Sequence, residues 1–551
     1  MPDHMGVTRV VVAAWVTLLT SGGLAAGAQL DVPADPAGAC AALSSIDLGP
    51  GKIVRTTFLS EGFKPSPAGE LVQVPPFCRV ALHSALSTDS SIHHEVWLPA
   101  RGWNGRFLGT GNGGWAGRLV YRALAAGVRR GFAVANTDMG TSPVEGGAFA
   151  VGHPVRWLDY GQRATHDMTT AGKALVSAYY GRAARFSYFE GCSTGGFQGL
   201  RAAELFPDDY DGIIAGHPGD RRAAKVMSLL FNFMQPKLHP EGILSNDDLM
   251  MMHEAVLDEC AGKGGGLPDD PFVTVPTACE WKPESLLCRD GNASDCLTQA
   301  QVDMANRLYR PWVLPSTGEH VFAGLPRGTE LGWNKYMEAA DEPDPPHAGI
   351  VRSILGAGHD FLASDWDRDV TTYLTVQGAL WADGPPTDLA RFREQGGKML
   401  IPFGLNDTST FYDAAEYYEG VQHEIARSAS LSDTSAGTRI RESMRLFTLP
   451  GVEHCGGGNG PNEIDALTPL MTWVETGVAP ERIDATWVKT NGFGASLGRP
   501  MSRPSCAYPQ VAKYVGDGDV SRAESFRCGP PDVPSAKARV SRPKAEEAPK
   551  R

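Results

Sequence analysis

The sequence predicts an α/β fold with a mostly parallel sheet, helices on both faces and a large irregular insertion. Two observations support this prediction. Segments with strand and helix patterns alternate up to about residue 218 and again from residue 398, which is typical of parallel sheets covered by helices. Between them, residues 219–395 contain four cysteines and many prolines without such alternation, and we expect an insertion there.

The composition is that of a folded globular protein, since 42% of the 551 residues are hydrophobic and 21% are charged. One continuous core rarely serves so long a chain. We therefore expect a discontinuous core of residues 29–218 and 396–528 around the insertion. The formal net charge is −13 and the sequence shows no basic face, so nucleic acid is not an expected partner.

The first 28 residues have the pattern of an export signal. Arg9, the only firm positive charge, precedes the apolar run Val10–Leu19, and Ala26-Gly-Ala28 is a typical cleavage site. The run is too short for a good membrane span, although a retained N-terminal anchor is the alternative. Later segments are also too short to span, so we expect a secreted or periplasmic protein. Residues 529–551 are rich in Pro, Ala, Lys and Arg and predict a disordered tail.

Ten cysteines follow the export signal, and an even number of cysteines in an exported protein indicates disulfide bonds. A zinc site would need close Cys and His clusters such as C-x-x-C, and the sequence contains none. We therefore predict five disulfides and no zinc site. The ten residues are Cys40, Cys78, Cys192, Cys260, Cys279, Cys288, Cys296, Cys455, Cys506 and Cys528.

Strand patterns dominate the first part of the predicted core. His94–Leu98, Arg106–Gly109 and Phe132–Asn136 are candidate strands. A glycine-rich loop, Gly109–Gly117, lies between the last two. A helix is predicted over residues 163–180, where apolar side chains recur at helical spacing.

The next elements surround a tight turn, and the same alternation resumes after the insertion. The strand Phe186–Phe189 precedes the turn, and the helix Gly196–Leu205 follows it. The remaining predicted elements are strands at Gly212–Ala215, Lys398–Phe403 and Met444–Leu449, and helices at Ala414–Val421 and Ile464–Thr476.

The tight turn contains Gly191-Cys-Ser-Thr-Gly195, which matches the pattern G-x-S-x-G between a strand and a helix. The glycines avoid collisions in so sharp a turn, and the geometry exposes the hydroxyl of Ser193 above the sheet edge. It also directs the next backbone N–H, that of Thr194, toward the place where an oxyanion would form. This context predicts the nucleophile of an α/β-hydrolase; a glycine-rich turn with an incidental serine is the alternative.

A serine hydroxyl needs a base to act as a nucleophile, and this fold places an acid and then a histidine after the serine in the chain. His454 follows one predicted strand, and Asp407 follows the strand before it. The chain order of Ser193, Asp407 and His454 is therefore the required one. Asp413 is a rival acid, but a helix is expected to begin there. Because the chain has 14 histidines, an incidental histidine at 454 is the alternative.

Two cysteines flank the predicted nucleophile and base. Cys192 precedes Ser193, and Cys455 follows His454. If these cysteines pair, their Cα atoms lie roughly 4.4–6.8 Å apart, which brings the serine and the histidine into the same neighbourhood. In the chain-entropy model a bridge across so long a loop stabilises the fold by about 5 kcal/mol at most. The alternative is that the two cysteines pair elsewhere.

Several blocks, in this order, resemble the tannase and feruloyl esterase family. Gly-Cys-Ser-Thr-Gly-Gly from Gly191, a later Asp407, and His-Cys-Gly-Gly-Gly from His454 look like that family's Cys-Ser…Asp…His-Cys signature. The resemblance covers nearly the whole chain after the export signal. Its further blocks are Gly109–Gly117, Asp209–Gly216, Gly397–Asp407 and Cys506–Pro509.

The resemblance implies an α/β-hydrolase core with serine esterase activity. It implies that Ser193 is the nucleophile, that His454 is the general base, and that Asp407 orients the histidine. The backbone N–H groups of Thr194 and Gly114 would be the oxyanion donors. It also implies the disulfides Cys40–Cys78, Cys192–Cys455, Cys260–Cys279, Cys288–Cys296 and Cys506–Cys528.

By the same resemblance, residues 219–395 form a lid domain that covers the pocket and selects the acyl and alcohol groups. Lids of this family often bind calcium through regularly spaced aspartates, but Ala261 takes the first such position and only Asp269 and Asp270 remain nearby. Because calcium prefers about six to eight oxygen ligands, we expect a solvated turn there and no required cofactor. Phe197 also stands where the family usually has a basic residue.

Family substrates are esters of aromatic acids, such as galloyl and feruloyl esters, and a related bacterial enzyme cleaves mono(2-hydroxyethyl) terephthalate. We therefore expect a secreted serine esterase that hydrolyses aromatic esters through an acyl-enzyme intermediate. The alternatives are a general carboxylesterase, a hydrolase of terephthalate monoesters, and a catalytically dead binding protein on the same scaffold. The last is disfavoured because no member of the predicted triad is missing.

Overall fold

The computed structural model of the chain contains a nine-stranded sheet with helices on both faces. It describes residues 32–49, 51–63, 72–85, 87–115, 117–142, 144–289, 295–381, 389–489 and 498–532. The predicted export signal, and the predicted tail beyond residue 532, lie outside these ranges. Within them, the longest apolar helices fall short of what a membrane crossing needs.

Strands and helices are distributed along the whole described part of the chain. The strands are β1 (Gly51–Leu59), β2 (Phe77–Ser84), β3 (Ile92–Pro99), β4 (Arg106–Thr110), β5 (Ala133–Thr137), β6 (Phe186–Cys192), β7 (Gly212–Gly216), β8 (Trp312–Val313), β9 (His320–Phe322), β10 (Lys398–Gly404), β11 (Met444–Leu449), β12 (Glu463–Ile464), β13 (Arg482–Thr486), β14 (Ser502–Cys506), β15 (Val511–Tyr514) and β16 (Phe526–Gly529). The α-helices are α1 (Pro36–Ala42), α2 (Tyr121–Arg129), α3 (Pro154–Leu158), α4 (Ala164–Tyr180), α5 (Thr194–Leu205), α6 (Arg222–Leu238), α7 (Asn246–Cys260), α8 (Gln299–Tyr309), α9 (Asn334–Glu338), α10 (Ala348–Leu355), α11 (Trp366–Trp381), α12 (Ala390–Glu394), α13 (Phe411–Ser428), α14 (Asp433–Ile440) and α15 (Leu467–Thr476).

The main sheet has the strand order β1-β2-β3-β5-β4-β6-β7-β10-β11. The pairs from β1 to β5 in this order are antiparallel, and every pair from β5 to β11 is parallel. This confirms the predicted mostly parallel sheet of an α/β-hydrolase core. Because six neighbouring strands run the same way, their carboxyl ends meet at one edge of the sheet.

The predicted core strands are present, and their ends differ from the sequence expectation by at most three residues. The largest difference is at β6, which was expected to end at Phe189 and continues to Cys192, because its last residues pair with Ala215 and Gly216 of β7. The helix expected over Ala414–Val421 is longer and spans the whole of α13.

Adjacent residues of the parallel strands pack on opposite faces of the sheet, as the period of two requires. Phe189 and Ile213 belong to the buried cluster under α4, α5 and α13. Tyr188 and Ile214 belong to the cluster on the other face, under α2 and α15. Burying a large apolar side chain stabilises the folded state by about 1.5–3 kcal/mol. Packing of both helical layers therefore stabilises the sheet between them.

The insertion is more regular than its sequence predicts. The three long helices α6, α7 and α11 lie within it, and α7 and α8 share a buried cluster of their own. The helix α6 buries side chains on nearly every side, so no polar face marks its helical period in the sequence. Near the end of the predicted insertion, Phe392 of α12 packs in the main core.

All ten cysteines are paired. The longest span is closed by Cys192–Cys455, which are 263 positions apart in the chain. The five disulfides join the pairs that the family resemblance implied: Cys40–Cys78, Cys192–Cys455, Cys260–Cys279, Cys288–Cys296 and Cys506–Cys528.

Because a histidine of β3 is buried, we predict that acid lowers the free energy of unfolding. His94 is 1% exposed, and burial lowers its pKa from 6.5 to about 4. The unfolded chain therefore takes up this proton first, and the free energy of unfolding falls as the pH drops from about 6.5 toward 4. Since one pKa unit is worth about 1.4 kcal/mol, the loss between pH 7 and 4 is about 3 kcal/mol.

Denaturant unfolding at both pH values tests this prediction. The stability advantage of the native chain over His94→Gln should shrink by that amount on acidification. The substitution His423→Gln, which removes an exposed histidine of α13, serves as the control. A difference between native chain and His94→Gln that stays constant with pH would contradict the prediction.

Candidate active site

Loops at the carboxyl ends of three parallel strands bring the predicted site residues together. Ser193 follows β6 directly, Asp407 lies just beyond β10, and His454 lies just beyond β11. All three line one cavity of about 550 Å³. Ligand sites of open α/β sheets lie at this edge, outside the carboxyl ends of the strands.

Ser193 lies in a strained turn between β6 and α5. Its backbone has φ 62° and ψ −117°, and its N–H donates to the carbonyl oxygen of Gly216 at 3.0 Å. A Cβ atom on Gly191 would lie 2.6 Å from the carbonyl group of Gly195, so the turn has no room for a side chain there. Strain of this kind costs about 1–3 kcal/mol and is typical of functional sites. A Cβ atom on Gly195 would lie 3.1 Å from the Cα atom of Gly111, so close packing accounts for both glycines of the sequence motif.

Asp407 binds the imidazole of His454. Nδ1 of His454 lies 2.7 Å from Oδ2 of Asp407, whose Oδ1 accepts the backbone N–H of Ser409 at 2.7 Å. Burial alone would raise the pKa of Asp407, but the charge of His454 and the hydrogen bonds from His217 and His454 outweigh it and hold that pKa well below its usual range. An ionised carboxylate at Nδ1 fixes the tautomer that leaves Nε2 able to accept a proton.

The rival acid Asp413 has a different partner. It lies in the first turn of α13, and its carboxylate forms an ion pair with the ammonium group of Lys225. The structure therefore brings Asp407 and not Asp413 to the imidazole.

The disulfide next to the site joins the loops of the serine and the histidine. The Cα atoms of Cys192 and Cys455 are 6.0 Å apart, within the range expected from the sequence. Because each cysteine is the direct neighbour of a predicted triad residue, the bridge limits how far Ser193 and His454 can separate.

A second histidine, which the sequence analysis missed, contacts the same carboxylate. Nδ1 of His217 lies 2.8 Å from Oδ2 of Asp407, and its ring stacks on Phe403 with 4.8 Å between the ring centres. Burial lowers the pKa of His217 although Asp407 opposes this effect. Because an ionised carboxylate can only accept, Nδ1–H of His217 is the donor of this hydrogen bond. Its sequence position, directly after β7 at the same sheet edge, is the signal that could have identified it.

The residues expected to supply the oxyanion donors lie side by side. The hydroxyl of Thr194 donates to the carbonyl oxygen of Gly114 at 2.9 Å. Gly114 has φ 59°, a conformation that favours glycine. The N–H of Gly195 donates to the carbonyl oxygen of Asn112 at 2.7 Å, which joins the glycine-rich loop to the start of α5. The glycine-rich loop and the start of α5 therefore lie against each other, and Gly114 lines the same cavity as Ser193.

Aromatic side chains and the cations Arg222 and Lys335 line the cavity. The indole N–H of Trp115 donates to Nδ1 of His347 at 3.2 Å, and Phe233 contributes a second apolar surface. Burial, together with the nearby charges of Arg222 and Lys335, lowers the pKa of His347 to about 3, so this ring stays neutral at working pH. The remaining lining residues include Pro218, Gly219, Val226, Leu229, Leu331, Asn334, Thr408 and Glu453.

Asp269 and Asp270 do not fit a calcium site. Oδ1 of Asp270 accepts a hydrogen bond from Arg503 at 2.8 Å, and its other oxygen accepts the N–H of Leu267 at 3.1 Å. Asp269 is exposed, and among the residues that the structure describes it forms no cluster of metal-binding side chains with Asp270. Calcium needs about six to eight oxygen ligands, and a carboxylate already paired with arginine is a poor one.

The sequence of the chain matches a known family over most of its length. Residues 78–344 and 362–529 match the sequence profile described as tannase and feruloyl esterase. The chain belongs to the tannase and feruloyl esterase family. Members of this family are carboxylic ester hydrolases, so this protein is an esterase.

Individual relatives agree with this assignment. An uncharacterized esterase of Xanthomonas campestris is 34% identical over 547 residues, covering 92% of this chain and 93% of the relative. A mono(2-hydroxyethyl) terephthalate hydrolase of Piscinibacter sakaiensis is 30% identical over 515 residues, covering 80% and 82%. The crystal structure of feruloyl esterase B from Aspergillus oryzae superimposes with a TM-score of 0.79 at 26% identity, covering 90% of this chain and 100% of that chain.

The esterase is expected to keep its activity in the presence of a metal chelator. Asp270 pairs with Arg503, and the one cluster of three metal-binding side chains within the described ranges is His217, Asp407 and His454, whose atoms are engaged in hydrogen bonds. Hydrolysis of methyl ferulate should therefore be equal before and after dialysis against EDTA. A loss that only added calcium restores would contradict this expectation.

Opening the disulfide beside the site is expected to lower the activity of the esterase. In a Cys192→Ala, Cys455→Ala double variant the serine and histidine loops can separate, and a shift of about 1 Å costs on the order of 10²-fold in rate. The value of kcat/KM on methyl ferulate measures the effect. The control is Cys288→Ala, Cys296→Ala, which opens a disulfide in the insertion. Equal losses in both double variants would show that the bridge at the site has no special role.

Proposed function

We propose that this esterase is an exported serine hydrolase that cleaves esters of aromatic carboxylic acids through an acyl-enzyme intermediate. The main support for the proposal is the hydrogen bond of 2.7 Å between His454 and the buried Asp407. Both residues line the same cavity as Ser193. A nucleophile, a base and an orienting acid in one cavity support acyl transfer as the reaction class.

In the acylation step, the oxygen of Ser193 bonds to the ester carbonyl carbon while its proton passes to Nε2 of His454. The carbonyl oxygen becomes an oxyanion, which the N–H groups of Thr194 and Gly114 stabilise. The carbon–oxygen bond to the alcohol then breaks, and the alcohol leaves with the proton from His454. Asp407 stabilises the imidazolium throughout this step without taking the proton itself.

In the deacylation step, water takes the place of the alcohol. Its oxygen bonds to the acyl carbon while one of its protons passes to His454, and the oxyanion forms in the same place. The bond to Ser193 then breaks, the serine recovers the proton, and the free carboxylic acid leaves. The enzyme returns to its starting state, so no cofactor is consumed.

The cavity supports an aromatic substrate. The rings of Trp115 and Phe233 line it, and aromatic groups prefer tilted or offset contacts with such rings. A cavity of about 550 Å³ is of the size that small-molecule ligands occupy. The names of two similar proteins, a feruloyl esterase B and a mono(2-hydroxyethyl) terephthalate hydrolase, agree with an aromatic acyl group.

Active-site labelling combined with a substrate panel tests the proposal. A fluorophosphonate probe should modify Ser193, as mapped by peptide mass spectrometry, and should abolish hydrolysis. The panel consists of methyl gallate, methyl ferulate, chlorogenate and short-chain 4-nitrophenyl esters. Hydrolysis of the 4-nitrophenyl esters alone would instead indicate a general carboxylesterase. Absence of both probe labelling at Ser193 and hydrolysis of these esters would contradict the proposed serine mechanism.

A second candidate substrate is a monoester of terephthalic acid. It is favoured by the 30% identity to the mono(2-hydroxyethyl) terephthalate hydrolase, which extends over 80% of this chain. Adding that compound to the panel separates the two candidates. The substrate with the highest kcat/KM decides between them, because that ratio measures transition-state binding for each ester.

Export is the remaining part of the proposal. The pattern of residues 1–28 supports it, and so do five disulfides, which persist in oxidising compartments. N-terminal sequencing of the protein recovered from the periplasm or medium should read from Gln29. Recovery of full-length chain in the membrane fraction would point to the retained anchor instead.

A further inference from the structure

Arg222, the first residue of α6, is a buried cation in the active-site cavity. It is 7% exposed and lines the cavity together with Ser193. The neighbouring cations Arg221 and Lys225 form ion pairs with Glu319 and Asp413. Within the part of the chain that the structure describes, no carboxylate pairs with Arg222. A buried charge without a counter-charge is costly, so its retention needs an explanation.

The guanidinium group of Arg222 is held against the two segments expected to supply the oxyanion donors. Its Nη2 lies 3.1 Å from the hydroxyl oxygen of Thr194 and 3.2 Å from that of Tyr160. Both hydroxyls in turn bond the carbonyl oxygen of Gly114, at 2.9 and 2.7 Å. Through these two hydroxyls, Arg222 therefore links the start of α5 to the glycine-rich loop.

Packing fixes the position of this guanidinium. Its central carbon lies 4.8 Å from the ring centre of Trp115 and 5.8 Å from that of Phe197. Such cation–π contacts favour a defined orientation for arginine, whose planar fork is already rigid. Tyr160, which accepts from Arg222, is itself buried with 2% exposure, so the hydroxyl network is shielded from water.

We propose that Arg222 is a positioning residue of the oxyanion hole and that the missing counter-charge is the oxyanion of the transition state. The inference rests on the proposed serine mechanism. Through the hydroxyls of Thr194 and Tyr160, Arg222 holds the backbone at 194 and 114 in place before substrate arrives. Its positive charge then lies beside the site where negative charge develops.

This role has a kinetic signature. The ester carbonyl is neutral in the ground state and negatively charged in the tetrahedral transition state. A preorganised charge in a shielded site therefore stabilises the transition state more than the bound substrate. Loss of the charge should lower kcat and leave KM nearly unchanged, whereas loss of a substrate-binding group would mainly raise KM.

The test compares Arg222→Met with Arg222→Lys and Tyr160→Phe. Loss of a direct oxyanion donor costs about 10²–10³-fold in kcat, so for a residue that acts through such donors we expect about 10–10²-fold in Arg222→Met. Arg222→Lys should retain part of the activity, because it keeps the charge, and Tyr160→Phe should lose less than Arg222→Met. The inhibition constant of an aryl boronic acid, which forms an anionic tetrahedral adduct with the serine, should rise in parallel with the loss in kcat/KM.

Arg221→Met is the matched control, since Arg221 precedes Arg222 in the chain and pairs with Glu319 outside the network. It should leave kcat and boronate binding unchanged. If Arg222→Met does not fold, kcat and boronate binding are compared between the native enzyme, Arg222→Lys and Tyr160→Phe instead.

Three outcomes would overturn the proposal. One is unchanged kcat with a raised KM in Arg222→Met, and another is boronate binding that does not change with kcat. A loss confined to esters that carry a carboxylate would assign Arg222 to substrate recognition instead. Failure of the proposed serine mechanism is distinguishable, because the native enzyme would then neither react with a fluorophosphonate nor bind the boronate.

Discussion

Replacing Ser193 with alanine is expected to lower kcat by roughly 10⁵–10⁶-fold, the scale on which loss of a triad serine acts. In the proposed mechanism no acyl-enzyme can form without this hydroxyl, and only the proposed oxyanion hole and substrate binding would remain to accelerate attack by water. Hydrolysis of methyl ferulate at enzyme concentrations high enough to detect the residual rate measures the effect. The result is read against the uncatalysed rate in the same buffer.

The fold of the Ser193→Ala variant should be unaffected, so the loss of rate is attributable to chemistry. Alanine keeps the Cβ atom of serine and adds nothing to the strained turn, where φ is 62°. Thermal unfolding of the two proteins should therefore coincide within a few degrees. The control Ser409→Ala removes a hydroxyl that lies 3.4 Å from His454 and should retain most of the activity. If instead Ser193→Ala keeps most of its rate, Ser193 is not the nucleophile.

The sequence was sufficient to predict that Ser193, Asp407 and His454 come together, because each follows a strand of the parallel sheet. A serine turn between a strand and a helix, and an acid and a histidine after later strands, follow from patterns of a few residues. The parallel strands then place the ends of β6, β10 and β11 at one edge, so Ser193, Asp407 and His454 meet there. Family resemblance added the pairing of Cys192 with Cys455, which composition alone left open.

Residues that act through long-range packing could not be predicted in this way. His217 and Arg222 lie in a segment where the strand–helix pattern ends, and neither belongs to a motif that the sequence analysis used. Their hydrogen-bond partners are distant in the chain, Asp407 for His217 and Tyr160 for Arg222. The helix that carries Arg222 is buried on almost all sides, so it has no polar face that would reveal its period. Long-range contacts of this kind are visible only in three dimensions.

Replacing Asp407 with asparagine is expected to lower kcat by about 10⁴-fold while the fold persists, the scale known for an acid that orients a catalytic histidine. In the native site, Oδ2 of Asp407 accepts from both His454 and His217, and Oδ1 accepts from the N–H of Ser409. An amide has one oxygen and one NH₂ group, so it can satisfy only one side of this arrangement.

Both orientations of the asparagine amide impair the site. With its NH₂ group toward the imidazoles, it donates to Nδ1 of His454 and stabilises the tautomer whose Nε2 carries the proton, which cannot accept one from Ser193. With its oxygen toward the imidazoles, its NH₂ group faces the N–H of Ser409 and leaves two donors opposed. In either case the negative charge that stabilises the imidazolium is gone. The control is Asp413→Asn, whose native carboxylate pairs with Lys225 and not with an imidazole; it should lower kcat far less than Asp407→Asn does. A larger loss in Asp413→Asn than in Asp407→Asn would transfer the role of the acid to Asp413 and contradict the proposed triad.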